Sequence, residues 1–234
     1  MSGHSKWSQI KRQKGVTDAK RSNAFTKLAN AISVAARTGK GMDIAIETAK
    51  KANMPRERMD RAIQRGKGEL GGEMVEEVIY EAYGPGGIAI LIKALTDNNN
   101  RTVSEIRAVL NKLGGNMANS GAVSYLFEQK GVIDILTEKM PLSKEDAEMI
   151  VIDSGADDFS EEDGHIYVYT NPKKLDEVKR NLEFKAIPIE SANLEMSPKS
   201  YVEIADDKKD SLIKLMSSLE DLDDVNEVFT NANL

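Results

Sequence analysis

The spacing of the large apolar residues changes at one glycine-rich stretch, and that change limits the folds open to the chain. Before it, apolar groups recur at helical intervals: Phe25, Leu28, Ala29, Ile32 and Ala35, then Ile46 and Ala49, then Met59, Ala62 and Ile63. Gly39-Lys40-Gly41 parts the first run from the second, where Asp43 suits a helix cap and the helix runs toward Asn53. Pro55 suits the first position of a third helix, which Gly66 and Gly68 stop. Three helices are therefore expected ahead of a hinge or linker at residues 66–72.

Beyond residue 76 the period shortens. Val78 and Tyr80 alternate before the Gly84-Pro85-Gly86-Gly87 turn, and a nearly continuous apolar run covers residues 88–95, which predicts two antiparallel strands. Thr102 and Glu105 have capping-box spacing for a helix that carries Val103, Ile106, Leu110 and Leu113 and ends at Gly114-Gly115. A strand is expected near residues 122–127.

Residues 131–196 then read as a strand at 132–136, a helix from Ser143, a strand near Asp157 and a strand at 166–169. A helix opened by Asn171-Pro172 and a strand through Ile187 and Ile189 complete a β-α-β-β-α-β split ferredoxin-like order. The tail adds a helix carrying Leu212, Leu215, Met216 and Leu219 and a strand at 225–229. The region before residue 131 has β-β-α-β and lacks a second helix and strand, which the tail can supply.

The expected fold is thus α+β: an N-terminal three-helix domain followed by two ferredoxin-like α/β domains, one inserted into the other. The boundaries are residues 1–72 for the basic arm and helical domain, 73–130 plus 204–234 for a discontinuous α/β domain, and 131–203 for the inserted one.

Charge divides at the same place. Through Gly72 there are 16 Lys plus Arg against 6 Asp plus Glu, a net +10, while the remainder holds 16 against 32, a net −16, inside a chain total of −6. One basic module beside an acidic body is expected when that module meets a polyanion. In a basic arm over residues 1–16, Lys6, Lys11, Arg12 and Lys14 surround Trp7, the only tryptophan. An indole there can stack on a base while the cations meet phosphates, or it can pack back on the first helix. Lys20, Arg21 and Lys27 extend the positive character along the first helix. On the third, Arg58, Arg61 and Arg65 fall within about 60° of one another, away from Met59 and Ile63.

Other chemistries lack their residues. Zero cysteines exclude disulfides, thiolate catalysis and iron–sulfur ligation, and the only two histidines, His4 and His165, are far apart, so neither metal nor cofactor is expected. The longest apolar run, residues 88–92, stops at Lys93, far short of the roughly 20 residues that cross a membrane. The N-terminus has no apolar signal core, so a cytoplasmic chain without membrane contact is expected.

Residues 66–71 match G-x-G-x-x-G, but a helix rather than a strand precedes them, and no P-loop occurs. The acidic stretches, including the one ending at Gly164, fail EF-hand spacing. His165 has no nucleophile or oxyanion motif placed with it. A chain that is not an enzyme and has no small-molecule substrate follows.

The segments Gly3-His4-Ser5-Lys6-Trp7, Asp18-Ala19-Lys20-Arg21, Phe25-Thr26-Lys27-Leu28, Asn53-Met54-Pro55, Tyr83-Gly84-Pro85-Gly86-Gly87, Leu95-Thr96-Asp97-Asn98, Asn100-Arg101-Thr102 and Gly114-Gly115-Asn116 together resemble the YebC/PmpR family over nearly the whole chain. The resemblance implies a helical N-terminal domain plus two α/β domains. Bacterial members of that family are described as probable transcriptional regulators and have also been connected to the ribosome at proline-rich stretches; mitochondrial relatives are translational activators.

The chain departs from the family pattern at two places. It is shortened between Gly41 and Ala45, and it has Asn99 where a basic residue is common, which leaves Arg101 as the charge of that loop. The expected function is a nucleic-acid-binding regulator of gene expression that binds DNA through the basic N-terminal domain. The alternative is a ribosome-associated translation factor on ribosomal RNA. No helix-turn-helix signature is evident and a Trp-bearing basic arm suits irregular RNA, whereas the family's usual description points to DNA.

Overall fold

The computed structural model describes residues 18–139, 144–162 and 164–234, which form three helices followed by two four-stranded antiparallel sheets with helices packed on them, an α+β fold. Helices α1 (Asp18–Thr38), α2 (Met42–Lys51) and α3 (Arg56–Gly66) enclose Ile32, Ala49, Met54, Met59 and Ala62, with Phe25, Leu28, Ile46 and Ile63 at the margin. All but Met54, which lies between α2 and α3, are residues whose helical spacing predicts the module.

Two helix ends differ from expectation. The cap position of α2 is Gly41, in the left-handed region at φ 68°, and no side chain caps it; Asp43 lies in the first turn, where its charge favours the helix dipole. Gly66 is the last residue of α3 and buried, not part of a linker. A Cβ at this position would stand 2.2 Å from the Ser33 carbonyl oxygen and 2.8 Å from the Ala36 Cβ. The glycine is there because α1 and α3 meet backbone to backbone, and the Ser33 hydroxyl donates to the Ala62 carbonyl at 2.8 Å in the same contact.

The first sheet has β1 (Glu76–Tyr83), β2 (Ala89–Thr96), β3 (Asn116–Met117) and β9 (Val225–Thr230) in the order β3-β1-β2-β9. The tail strand pairs antiparallel with β2, from Ile90↔Thr230 to Ala94↔Val225. Helices α4 (Asn99–Lys112) and α7 (Asp206–Glu220) cover one face over Ile90, Ile92, Ile106, Leu110, Leu212, Leu215, Leu219 and Val228. The chain order in this sandwich is β-β-α-β-α-β. Thr102 does not cap α4: the Asn98 side chain does, accepting from the Arg101 N–H at 3.1 Å, and Thr102 turns inward.

The second sheet follows the expected order, with β4 (Phe127–Leu136), α5 (Lys144–Asp153), β5 (Asp158–Glu162), β6 (His165–Thr170), α6 (Leu175–Phe184) and β7 (Ile189–Pro198). Its strands lie as β5-β6-β4-β7. Ser143, the expected start of α5, lies outside the described residues. The core holds Ile133, Ile135, Val151, Ile166, Val168, Val178 and Leu182.

The strand expected near residues 122–127 is instead a 3₁₀ turn, Ser124–Leu126, that runs into β4, and β4 passes through Gly131 without a break. A Cβ at Gly131 would meet Thr170 Cγ2 at 2.7 Å, so this glycine makes room for a neighbour rather than ending a strand. Ala89, Leu91, Val123, Phe127 and Phe229, with Met196 against them, join the two sheets through apolar contact. A short parallel pair, β8 (Val202–Glu203) with β10 (Ala232–Asn233), ties the return of the chain to its last residues.

Glu81 fixes the loop that leads between the sheets. Its buried carboxylate accepts the N–H groups of Gly121 at 2.6 Å, Val123 at 2.6 Å and Ser124 at 2.9 Å. Burial opposes the charged form, but these three donors outweigh it and hold the carboxyl below its ordinary range. Glu81→Gln is expected to lower stability at neutral pH by about 1.5–3 kcal/mol. Because the folded pKa is depressed, the carboxylate stabilises fully above its unfolded pKa and loses that contribution as pH falls through the folded value. The gap between wild type and Glu81→Gln in urea unfolding should therefore close in acid; a gap independent of pH would rule out this role for the charge.

Candidate nucleic-acid interface

The packing of α1 on α3 decides which cations face outward. The Arg58 guanidinium lies 5.7 Å over the Phe25 ring, Ser33 meets Ala62, and Gly66 meets Ser33 and Ala36. Both helices therefore advance in the same sense, with the start of α3 beside Phe25, about two turns after the first described residue of α1. At that end α3 exposes Arg56, Arg58 and Arg61. Arg56 is 91% exposed and stands 3.8 Å from Asp60, a loose surface pair. A guanidinium stacked on a ring keeps its in-plane donors at the edge, which leaves Arg58 able to meet an anion.

Lys20 and Arg21 sit in the first turn of α1, with their side chains outside the described groups. Lys6, Trp7, Lys11, Arg12 and Lys14 lie outside the described residues altogether.

Three other cations expected at this interface are held within the molecule. Lys27 donates to the carbonyl of Glu220, and Asn23, one turn earlier, donates to the carbonyl of Asp221 at 2.8 Å. Both serve the C-terminus of α7, whose last carbonyls lack helical partners and whose dipole attracts a cation. Arg65 meets Asp97 at 2.6 Å and the Asn30 side-chain oxygen at 3.5 Å, while the Asn30 amide donates to the Leu95 carbonyl at 3.1 Å. Arg101 meets Asp97 at 3.0 Å and both oxygens of Asp224, at 2.7 and 3.0 Å.

Asp97 thus receives one guanidinium from the helical module and one from α4. Burial penalises its charge, but hydrogen bonds from Arg101 and Arg65 outweigh that and hold its carboxyl below the ordinary range. The stripe of α3 consequently splits, with Arg58 and Arg61 outward and Arg65 latched to the first sheet. Spacing on one helix shows that three arginines share a face; it does not show that Asp97, from a loop distant in sequence, stands at one end of it.

The helical module also touches the second sheet. Lys51 donates to the Glu190 carbonyl at 2.9 Å, and Lys179 meets Glu47 at 2.9 Å, where its hydrogen bond lowers the Glu47 pKa against burial. Helix α2 in this way covers β7, an edge strand that would otherwise be open to pairing. His165 stands 2.7 Å from Asp134 and stacks on Tyr167 at 5.9 Å between centroids, a histidine held in a strand. Among the described residues no group of three or more His, Asp or Glu could hold a metal ion, and no helix is long and apolar enough to cross a membrane.

Residues 5–69 match the model for the TACO1/YebC protein N-terminal domain, and residues 75–232 match that for the TACO1/YebC second and third domain. The chain belongs to the TACO1/YebC family. Family relatives include a protein of Persephonella marina, 49% identical over 243 residues that cover 99% of this chain and 95% of the relative. Others are from Aquifex aeolicus, 48% identical with 99% and 95% covered, and Thermotoga maritima, 46% identical with 99% and 93% covered. All three are named probable transcriptional regulatory protein. A crystal structure of a conserved hypothetical protein from Aquifex aeolicus superposes with a TM-score of 0.86 at 46% identity, covering 92% of this chain and 91% of that one.

The two kinds of arginine in this family member should separate under mutation. Arg101→Ala leaves Asp224, 6% exposed, with only the hydroxyls of Thr96 and Thr102, and is expected to cost about 2–4 kcal/mol in urea unfolding. Arg61→Ala, on an exposed helix face, should stay within about 0.5 kcal/mol of wild type. Equal stabilities for the two variants would mean that Arg101 is not structural.

Proposed function

We propose that this chain is a non-enzymatic, nucleic-acid-binding regulator of gene expression, acting in the cytoplasm and gripping a phosphodiester backbone through its basic module at residues 1–72. DNA, in transcription, is the leading target, in keeping with the names of the family relatives. The observation that carries the proposal is that Arg58 and Arg61 stand exposed on α3, with Arg58 over Phe25 of α1, in a module with a net charge of +10. Guanidinium forks suit phosphate oxygens and bind them without reading sequence. Lys6, Trp7, Lys11, Arg12, Lys14, Lys20 and Arg21, in the same basic module by sequence, are the further groups proposed to meet the nucleic acid.

The two α/β units, residues 73–130 with 204–234 and residues 131–203, are taken as the body that orients this grip. Their net −16 disfavours phosphate and confines the nucleic acid to the helical side. Ribosomal RNA, with the ribosome as partner, is the second target. What favours it is the pairing of aromatic groups with cations, Arg58 over Phe25 and Trp7 among lysines, a combination that suits unstacked bases.

Binding of a labelled DNA duplex and of an RNA hairpin with the same number of phosphates, each titrated across salt, tests the grip. The double change Arg58→Ala with Arg61→Ala should weaken binding by about tenfold or more at low salt and lower the slope of log affinity against log salt by about 1.4–1.8. Affinity and slope both unchanged would remove these residues from the interface. Sedimentation from gently lysed cells then separates the two targets: salt-sensitive co-migration with ribosomal particles selects RNA, and recovery on chromosomal DNA selects transcription.

A further inference from the structure

Three arginines share one face of α3, and one carboxylate sets the third apart. Arg65 and Asp97 meet at 2.6 Å with 35% and 31% of their side chains exposed, so solvent reaches the pair. Partly exposed pairs of this kind hold their partners weakly. Among the described residues Arg65 has besides Asp97 only the Asn30 oxygen, at 3.5 Å. Asp97 is better provided, because Arg101 lies 3.0 Å away and is itself anchored on Asp224. If Arg65 turns away, Asp97 keeps a cation.

The stripe from Arg58 to Arg65 covers seven residues, about 10 Å along the helix axis. One phosphate cannot bridge that length, whereas a phosphodiester backbone lying on Arg58 and Arg61 continues toward Arg65. A carboxylate and a phosphate both offer a guanidinium two oxygens in the same fork geometry.

Resting on the nucleic-acid function proposed above, we infer that Asp97 is an intramolecular stand-in for phosphate, which occupies Arg65 in the free protein and yields it to the backbone of a bound nucleic acid while Arg101 retains Asp97. The contact is autoinhibitory: it lowers affinity for a polyanion long enough to engage all three arginines and leaves one that meets only Arg58 and Arg61 unaffected.

The test is binding of the same DNA duplex and RNA hairpin to the full chain. Asp97→Asn should bind about three- to tenfold tighter at low salt with an unchanged salt slope, since the same phosphates are neutralised. In an Arg65→Ala background Asp97→Asn should give no gain. A gain that persists there, or an Asp97→Asn variant that binds no tighter than wild type, overturns the exchange.

Should Asp97→Asn fail to fold, Arg65→Gln decides the matter, because its salt slope falls by about 0.7–0.9 if Arg65 reaches phosphate in the complex and stays at the wild-type value if it does not. The exchange concerns backbone chemistry that DNA and RNA share, so the gain should appear on both, and the tighter of the two identifies the source of the phosphate. Failure here leaves Arg58 and Arg61 untouched. Unchanged binding in their double variant is a separate result, and it would remove the function on which the exchange rests.

Discussion

A carboxylate buried in a protein must be given cations and donors, and Asp224 obtains them from a part of the chain more than a hundred residues away. Thr96 at the end of β2 and Thr102 and Arg101 on α4 all converge on it. Asp224 itself stands between α7 and β9, where the tail returns to the first sheet. Apolar contact under α4 and α7 is non-directional, whereas two hydroxyls and a guanidinium meet the one carboxylate at fixed distances. Hydrophobic burial supplies the driving force here, and the polar constellation selects the register. Through Arg101 and Asp97 the same constellation reaches Arg65, so the seating of the helical module depends on how the tail is placed.

Much of this architecture is legible in the sequence because its signals are local and redundant. The β-α-β-β-α-β order of the second sheet follows from alternating apolar runs, Asn171-Pro172 opening a helix, and glycines between elements. Asn171 does cap its turn, accepting from the Lys173 N–H at 3.0 Å. That the tail completes the first sheet follows from the helix and strand which that region lacks; its pairing with β2, from Ile90 to Ala94, is visible only in the structure.

The expectations that differ share one cause: they concern residues whose role is set by a neighbour remote in sequence. Gly66 looks like the start of a linker because glycine is also what a linker contains, and only the Ser33 carbonyl across the crossing tells the two apart. Thr102 has the spacing of a cap and instead donates at 2.6 Å to Asp224. Lys27, Arg65 and Arg101 read as surface cations because a helical face considered alone has no partner on it. The carboxylates and carbonyls that bind them come from residues 97, 220 and 224, and no periodicity connects those positions.

These internal partners change what the charge asymmetry means. The helical module is attached to the rest of the molecule largely through its own cations: Lys27 on Glu220, Arg65 on Asp97, Arg37 on Glu76 at 3.4 Å and Lys51 on Glu190. Part of the +10 is therefore used to hold a basic module on an acidic body, and such an asymmetry would exist in some measure without any nucleic acid. What distinguishes Arg58 and Arg61 is that they lie outside this set of contacts, where packing of Met59 and Ile63 on a different face of the same helix fixes their direction. In the proposed function these two groups, with Arg56, are the guanidinium groups that stand free of the body to meet a polyanion. For Lys27, Arg37, Lys51 or Arg65 to engage a phosphate as well, each would first have to leave a contact that holds the molecule together. The affinity of such a surface is set by the difference between two sets of ion pairs, not by the number of arginines and lysines it carries.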